Sequence, residues 1–325
     1  MHIWTVPVTA EREACCLIVY RERASLVRDL GVKAETLYAV SNSLERHYRR
    51  VLLPKKDGGV RELWVPDGVL KDIQRRITRV LLVHMPVSPW ATAYRCGGGT
   101  YRNAAPHAGQ PAVLKLDIRH FFDSVRYCDV KDTAFPAEIY AEPLRVLLTM
   151  LCYFRQGLPQ GAPSSPAISN LVLADFDREI GGWCAPRHVR YTRYCDDLTF
   201  SGSFAPEEVI PFVESALRRR GFFLNGGKTR FLPASRRQTV TGLVVNRRPS
   251  VPAEELRQLR QEVYYCRWFG PADHMARLGI TESRERYLAR LLGRVSYALQ
   301  MTPDKAALRE AREWLLEALR CSCSG

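Results

Sequence analysis

Long apolar runs are missing from this 325-residue chain. The stretch from Cys15 to Tyr20 is apolar, but Glu11, Arg12 and Glu13 precede it and Arg21 follows. It is too short to span a bilayer or to form the apolar heart of a signal peptide, so no membrane partner and a cytoplasmic location are expected. Ten cysteines are present, yet they make no disulfide or zinc framework. Cys15 and Cys16 are adjacent, Cys321 and Cys323 lie near the last residue, and no C-x₂-C pair is followed by a second. Reduced, small apolar fillers are the expectation. Repeats and low-complexity tracts are also absent. Acidic residues are in deficit, with 34 Asp+Glu against 48 Lys+Arg and a net charge of +14. Such a surface either meets a polyanion, nucleic acid first, or simply keeps a basic protein soluble. Hydrophobic residues at 46% and charged residues at 25% exclude a disordered or fibrous chain. The length suits one large domain or two or three subdomains.

Four stretches differ in character. Residues 1–50 read as helical, with Leu37, Val40, Leu44 and Tyr48 on one face. In residues 51–110, Lys55 to Gly59 reads as a hairpin turn between Val51-Leu52-Leu53 and Val60 to Val65. Leu70 to Val83 then reads as a basic helix burying Leu70, Ile73, Ile77, Val80 and Leu81. Residues 111–250 alternate strands and helices. Residues 251–325 read as helices broken near Gly270-Pro271 and Pro303, ending in an amphipathic helix from Asp304 with Leu308, Ala311, Leu315 and Leu319 in step.

The third stretch carries the chemistry. In Ala112 to Ile118, strand parity places Leu114, Leu116 and Ile118 on one face and Val113, Lys115 and Asp117 on the other. Asp117 thus ends a strand whose opposite face is core. Asp123-Ser124 reads as the cap of the next short helix, and Ser165-Pro166 as an N-cap and first residue. That helix buries Ile168, Leu171, Val172, Phe176 and Ile180. Tyr191 to Gly202 reads as two β-rich arms around Cys195-Asp196-Asp197, a tight hairpin with two acids at its tip. Adjacent aspartates repel unless a cation compensates them. Regular strand parity would send them to opposite faces, so one is expected to be the principal ligand. Three carboxylates suit a hard cation such as Mg²⁺, and two such ions can activate a sugar hydroxyl and stabilise leaving pyrophosphate. An Asx-type turn and a strand-end cap would explain the Asp pair or Asp117 alone, but not the flanked set.

At these residues the sequence resembles a reverse transcriptase. Leu116-Asp117-Ile118 through Phe122 is similar to the first catalytic strand, Gly157 to Pro166 to the nucleotide-site loop and following helix, and Tyr194-Cys195-Asp196-Asp197 to the Tyr-x-Asp-Asp hairpin. Gly221 to Asn225 with Lys228-Thr229, and Thr241 to Asn246, resemble the next motif and the primer grip. Asn103-Ala104-Ala105-Pro106-His107, Val240-Thr241-Gly242, Leu53 to Leu63 and Leu70 to Ile77 resemble elements of the bacterial retron branch. Group II intron enzymes share several motifs but carry long maturase extensions, and diversity-generating enzymes usually show Ser-Gln at Ser165-Pro166. The match covers roughly residues 50–250, with many motifs in order.

The resemblance implies an α+β, right-hand polymerase: an N-terminal helical segment (1–50), fingers (51–110), an antiparallel-sheet palm with finger insertions (111–250) and a helical thumb (251–325). It implies RNA-directed DNA synthesis from dNTPs on a structured non-coding RNA. Priming would come from an RNA 2′-OH, giving a branched RNA–DNA product (msDNA) that serves antiphage defence with an effector protein. Two ions, Mg²⁺ with Mn²⁺ as a substitute, would be held by Asp117, Asp196, Asp197 and the Ile118 carbonyl, with Asp117 and Asp196 the main ligands. Phe122 would exclude an incoming 2′-OH or else pack in the core. Gln160 would contact the nucleotide or be a plain turn residue. Arg61 would pair with the triphosphate or be solvated. Lys228 would protonate pyrophosphate or touch a backbone phosphate. Asn103 and His107 would help hold the cognate RNA, although a lone His is more often structural. Arg257, Arg260 and Arg290 would bind RNA phosphates; Tyr264, Tyr265, Trp268 and Phe269 are core or base-stacking. The rivals are a group II-like or other stand-alone reverse transcriptase, and a non-catalytic RNA-binding scaffold.

Overall fold

The computed structural model describes residues 19–54 and 58–322. Cys15, Cys16, Cys323 and the expected turn at residues 55–57 lie outside them. The strands are β1 (Tyr48–Pro54), β2 (Val60–Pro66), β3 (Ala112–Asp117), β4 (Arg190–Tyr194), β5 (Asp197–Gly202), β6 (Arg230–Pro233), β7 (Thr239–Val240) and β8 (Leu243–Val244). Helices fill most of the remainder, and every strand pairing is antiparallel, giving the α+β class. Among the described residues, no helix is long and apolar enough to cross a membrane.

The chain forms two compact units. The first joins the segment up to Arg95 with Ile118–Ile180 and Glu214–Leu224. It holds the β1–β2 hairpin, in register Tyr48↔Pro66 through Pro54↔Val60, as the sequence pattern predicts. Five local expectations change here. The helix expected to reach Tyr48 stops at Ser41, because Asn42 and Ser43 break it, and Tyr48 opens β1 instead. The basic helix runs Gly68–Arg76 and then widens to a π-turn over Ile77–Leu81, so Leu81 and Leu82 both turn inward while Val80 is only half-buried. Asp123 and Ser124 close the short helix Phe121–Ser124; the next helix, Tyr127–Ala134, is capped by Arg126 and Asp129. Likewise Ser164 is the N-cap of Ser165–Val172, and Ser165 Oγ donates to the Pro159 carbonyl. The apolar face beyond Val172 continues on a separate helix, Ala174–Cys184.

The second unit joins Cys96–Asp117, Gly181–Val213 and the chain from Asn225 onward. Its sheet has the order β4-β5-β3-β6, so β3 is hydrogen-bonded on both sides. The C-terminal helices Ala253–Phe269, Pro271–Arg277, Arg284–Met301 and Ala306–Ser322 break at Gly270-Pro271 and before Ala306, where Gly and Pro interrupt the ladder. Their inward stripes, including Leu259, Val263, Leu288, Leu291, Val295 and Leu315, pack with Val113 of β3 and Val240 and Leu243 into one core. Each such side chain contributes about 1.5–3 kcal/mol of burial free energy. That core anchors the strand on which Asp117 stands.

Candidate active site

β4 and β5 end at the pair Tyr194↔Asp197, which leaves Cys195 and Asp196 as a two-residue turn. Cys195 is buried and takes φ +60. Two-residue hairpins need positive φ at the first turn position, which usually selects Gly. A cysteine there stores strain of about 1–3 kcal/mol, the kind kept where surrounding structure fixes a functional residue. On the other side of β5, Asp117 of β3 is the direct partner of Asp197. Partners across a ladder share a face, with Cβ atoms about 4.5–5.5 Å apart. Asp196 is in the turn, so strand parity does not govern it, and the residue facing Asp117 in the ladder is Asp197.

Charge couples these groups. Burial raises the Asp196 carboxyl above the ordinary range, and the Asp117 charge adds to it. Burial raises Asp197 too, followed by repulsion from Asp196 and Asp117, while Lys115 and Lys228 work against the rise. Lys228 Nζ donates to Asp117 Oδ1 at 2.8 Å, and this bond together with the three carboxylates holds the ammonium pKa up. Lys228 reaches this position through the 3₁₀ turn Gly226–Lys228, anchored by the Asn225 N–H on the Asp117 carbonyl at 2.8 Å. No local sequence pattern signals this ion pair, whose partners are 111 residues apart.

Among the described residues, no three His, Cys, Asp or Glu side chains converge closely enough to enclose a metal ion. The donor chemistry nonetheless fits a hard divalent cation. Three carboxylates, mutually repelling and partly compensated by Lys115 and Lys228, offer only oxygen. Lys228 already sits on one of them as a cation.

The remaining predicted residues lie in different settings. Ile118 is buried and bridges Leu224. Arg61 is exposed on β2 opposite Leu53. Phe122 is half-buried, its ring 5.5 Å from that of Phe121, and its carbonyl accepts the Leu158 N–H at 2.8 Å. Gln160 is exposed and hydrogen-bonds the Asp123 side chain.

The assignment of Asn103 and His107 to RNA contact is corrected: both are fully buried and cannot touch a ligand at the surface. His107 Nδ1 lies 2.7 Å from Ser201 Oγ and Nε2 lies 2.8 Å from Thr192 Oγ1. Burial, with the nearby Arg190 charge, lowers its pKa to about 3. The neutral ring therefore ties β4 and β5 together from behind. Thr192 Oγ1 is also 3.4 Å from the Asn103 carbonyl. With its proton directed there, the hydroxyl accepts from Nε2, and Nδ1 accepts from Ser201.

Arg257 and Arg260 are exposed on helix Ala253–Phe269. Arg290 is bound by Glu282 Oε1, at 2.6 Å to Nη2, and lies over the Tyr287 ring. Of the four aromatics weighed above, Trp268 is 71% exposed and Tyr264 54%, so neither belongs to the core.

Comparison with known proteins identifies the family. Residues 53–249 match the family described as reverse transcriptase (RNA-dependent DNA polymerase). The retron Mx65 reverse transcriptase of Myxococcus xanthus is 33% identical, over 93% of this chain and 73% of its own. The retron Ec86 reverse transcriptase of Escherichia coli is 29% identical, over 72% of this chain and 74% of its own. An apo telomerase structure from Candida tropicalis, truncated from its C-terminal domain, aligns with a TM-score of 0.42 at 15% identity, over 63% of this chain and 55% of that one. The chain belongs to the reverse transcriptase family and is an RNA-directed DNA polymerase of the retron type.

Proposed function

We propose that the protein copies a structured non-coding RNA into DNA from dNTPs in the cytoplasm. Synthesis starts from a 2′-OH of that RNA and leaves a branched RNA–DNA molecule. The observation that carries this reading is the placement of Asp117 opposite Asp197, with Asp196 in the adjoining turn and all three charges coupled. Asp117, Asp196 and Asp197, with the Ile118 carbonyl, would hold two Mg²⁺ ions, with Mn²⁺ as a substitute. When bound, such ions lower the pKa of the attacking hydroxyl and neutralise the leaving pyrophosphate.

The chain's own groups do the remaining work. Lys228 neutralises Asp117 in the free protein and supplies a proton near departing pyrophosphate. Phe122 blocks a 2′-OH, Gln160 orients the nucleotide, and Arg61 pairs with its triphosphate. Arg257, Arg260 and Arg290 take RNA phosphates, and exposed Trp268 and Tyr264 add faces for unpaired bases. In the same proposal, the branched product serves antiphage defence with an effector protein as partner.

Measured dNTP incorporation with Asp197→Asn and Asp196→Asn tests the reading. Activity in the native protein and none in the variants supports it. An inactive native protein favours a non-catalytic scaffold, and variants as active as the native protein remove the metal site. Sequencing the nucleic acid that co-purifies separates the retron reading from a stand-alone enzyme: a 2′-branched species supports retron chemistry, and unbranched mixed RNA does not.

A further inference from the structure

Trp64 of β2 bears on both ends of the Gly157–Gly161 loop. At the near end, Phe154 and Gly157 close a two-residue reverse turn with mutual backbone bonds of 3.2 and 3.3 Å. Arg155, the first residue inside it, takes φ +56, a conformation rare for a long side chain. Its guanidinium carbon lies 4.2 Å from the Trp64 ring centroid and 5.4 Å from that of Phe154, and Nη2 is 3.4 Å from Glu45 Oε2. At the far end, a Cβ on Gly161 would stand 2.6 Å from the Trp64 carbonyl oxygen and 3.1 Å from Val65 Cα. The ring of one tryptophan thus meets Arg155, two residues ahead of the loop, and its carbonyl meets Gly161, which closes it.

The loop is equally confined in between. A Cβ on Gly157 would lie 2.7 Å from the Phe122 oxygen, and Leu158 N–H donates to that same oxygen. Trp64 is braced in turn. Phe154 meets it edge-on at 5.3 Å and stacks on Tyr48 at 4.2 Å, and the Tyr48 hydroxyl accepts from Gln74. Arg155 reaches this assembly from outside, with 53% of its side chain exposed. A half-exposed arginine in a left-handed conformation adds little to global stability, whereas backbone strain of this kind collects where a functional loop is fixed.

We infer that Arg155, stacked on Trp64, is a positioning residue that holds Gln160 for the incoming nucleotide and so sets dNTP affinity. Trp64 lies three residues beyond Arg61 on β2, so the clamp joins two of the proposed nucleotide contacts of this unit, Arg61 and Gln160. The inference rests on the reading of Gln160 and Arg61 as nucleotide-binding residues.

Steady-state dNTP incorporation by the full-length protein on a primed RNA template provides the test. Arg155→Ala is expected to raise KM for dNTP about three- to tenfold, with kcat within about twofold and KM for template–primer unchanged. Arg155→Lys keeps the charge without the flat guanidinium and falls between the two. Arg155→Gly relaxes the turn but removes the clamp, and is expected to match Arg155→Ala. Thermal midpoints stay close to that of the native protein. The inference is overturned by an unchanged dNTP KM, by native behaviour of Arg155→Gly, or by a loss of activity that tracks a lowered melting point. A native protein that incorporates no dNTP would instead remove the underlying polymerase reading.

Discussion

Two antiparallel hairpins of this protein are built in opposite ways. β1–β2 in the first unit is exposed along most of its length, with Leu52, Leu53 and Val60 facing solvent. β4–β5 in the second unit is buried on both faces from Tyr191 to Thr192 and from Leu198 to Gly202, and closes in two residues. Charge follows the same division. The first hairpin carries an exposed Arg50–Glu62 pair at 2.6 Å, and the second carries carboxylates whose pKa values burial drives upward. A strand that must present a charge at a fixed point is pinned by ladders, core and an imidazole. A strand whose proposed ligand contact is a long side chain, Arg61, can stay exposed beside its partner strand.

The largest effect separating the two is expected from Asp117→Asn. Incorporation should fall by about 10³-fold or more, since a proposed metal ligand is lost, with the circular dichroism spectrum retained. In contrast, Arg61→Gln should cost about tenfold, read mainly in KM for dNTP.

Next comes His107→Ala, which leaves Ser201 and Thr192 without their buried partner. We expect a loss of about 2–4 kcal/mol in denaturant unfolding. The native protein should also lose stability in acid. The folded-state pKa, about 3, is below the unfolded value near 6.5, so the unfolded chain binds the proton first. Stability from this group is therefore complete above about pH 6.5 and is lost as pH falls toward 3, at about 1.4 kcal/mol per pH unit. A stability profile as steep in a His107→Gln variant would refute the assignment.

Lys228→Met is expected to shift the acid limb of the activity profile to higher pH. Without the ammonium, Asp196 and Asp197, already raised, protonate at still higher pH. An unmoved or lower limb would contradict the coupling. The smallest change belongs to the exposed hairpin: Glu62→Gln should alter unfolding free energy by less than about 0.5 kcal/mol.

Much of this architecture is legible in local sequence. The Asp117 strand and the Asp196-Asp197 hairpin show because apolar runs end in acids, and the C-terminal helix breaks show because Gly270-Pro271 and Pro303 cannot continue a helix. What is hidden depends on distant partners. His107 looks free in sequence, yet its hydroxyl partners come from 85 and 94 residues away. The π-turn at Ile77–Leu81 hides for a different reason: a helical apolar pattern does not reveal one extra residue in a turn. Cys195 gives no sign of its left-handed backbone, because the neighbouring ladders impose it.

The imidazole of His107 measures the hairpin as well as bracing it. It spans one hydroxyl on β4 and one on β5, both well behind the turn, so it fixes how far each arm has travelled when the chain reverses. Over evolutionary time, a residue added between Thr192 and Ser201 on either arm would shift that arm's hydroxyl past the ring and turn its acid away from Asp117.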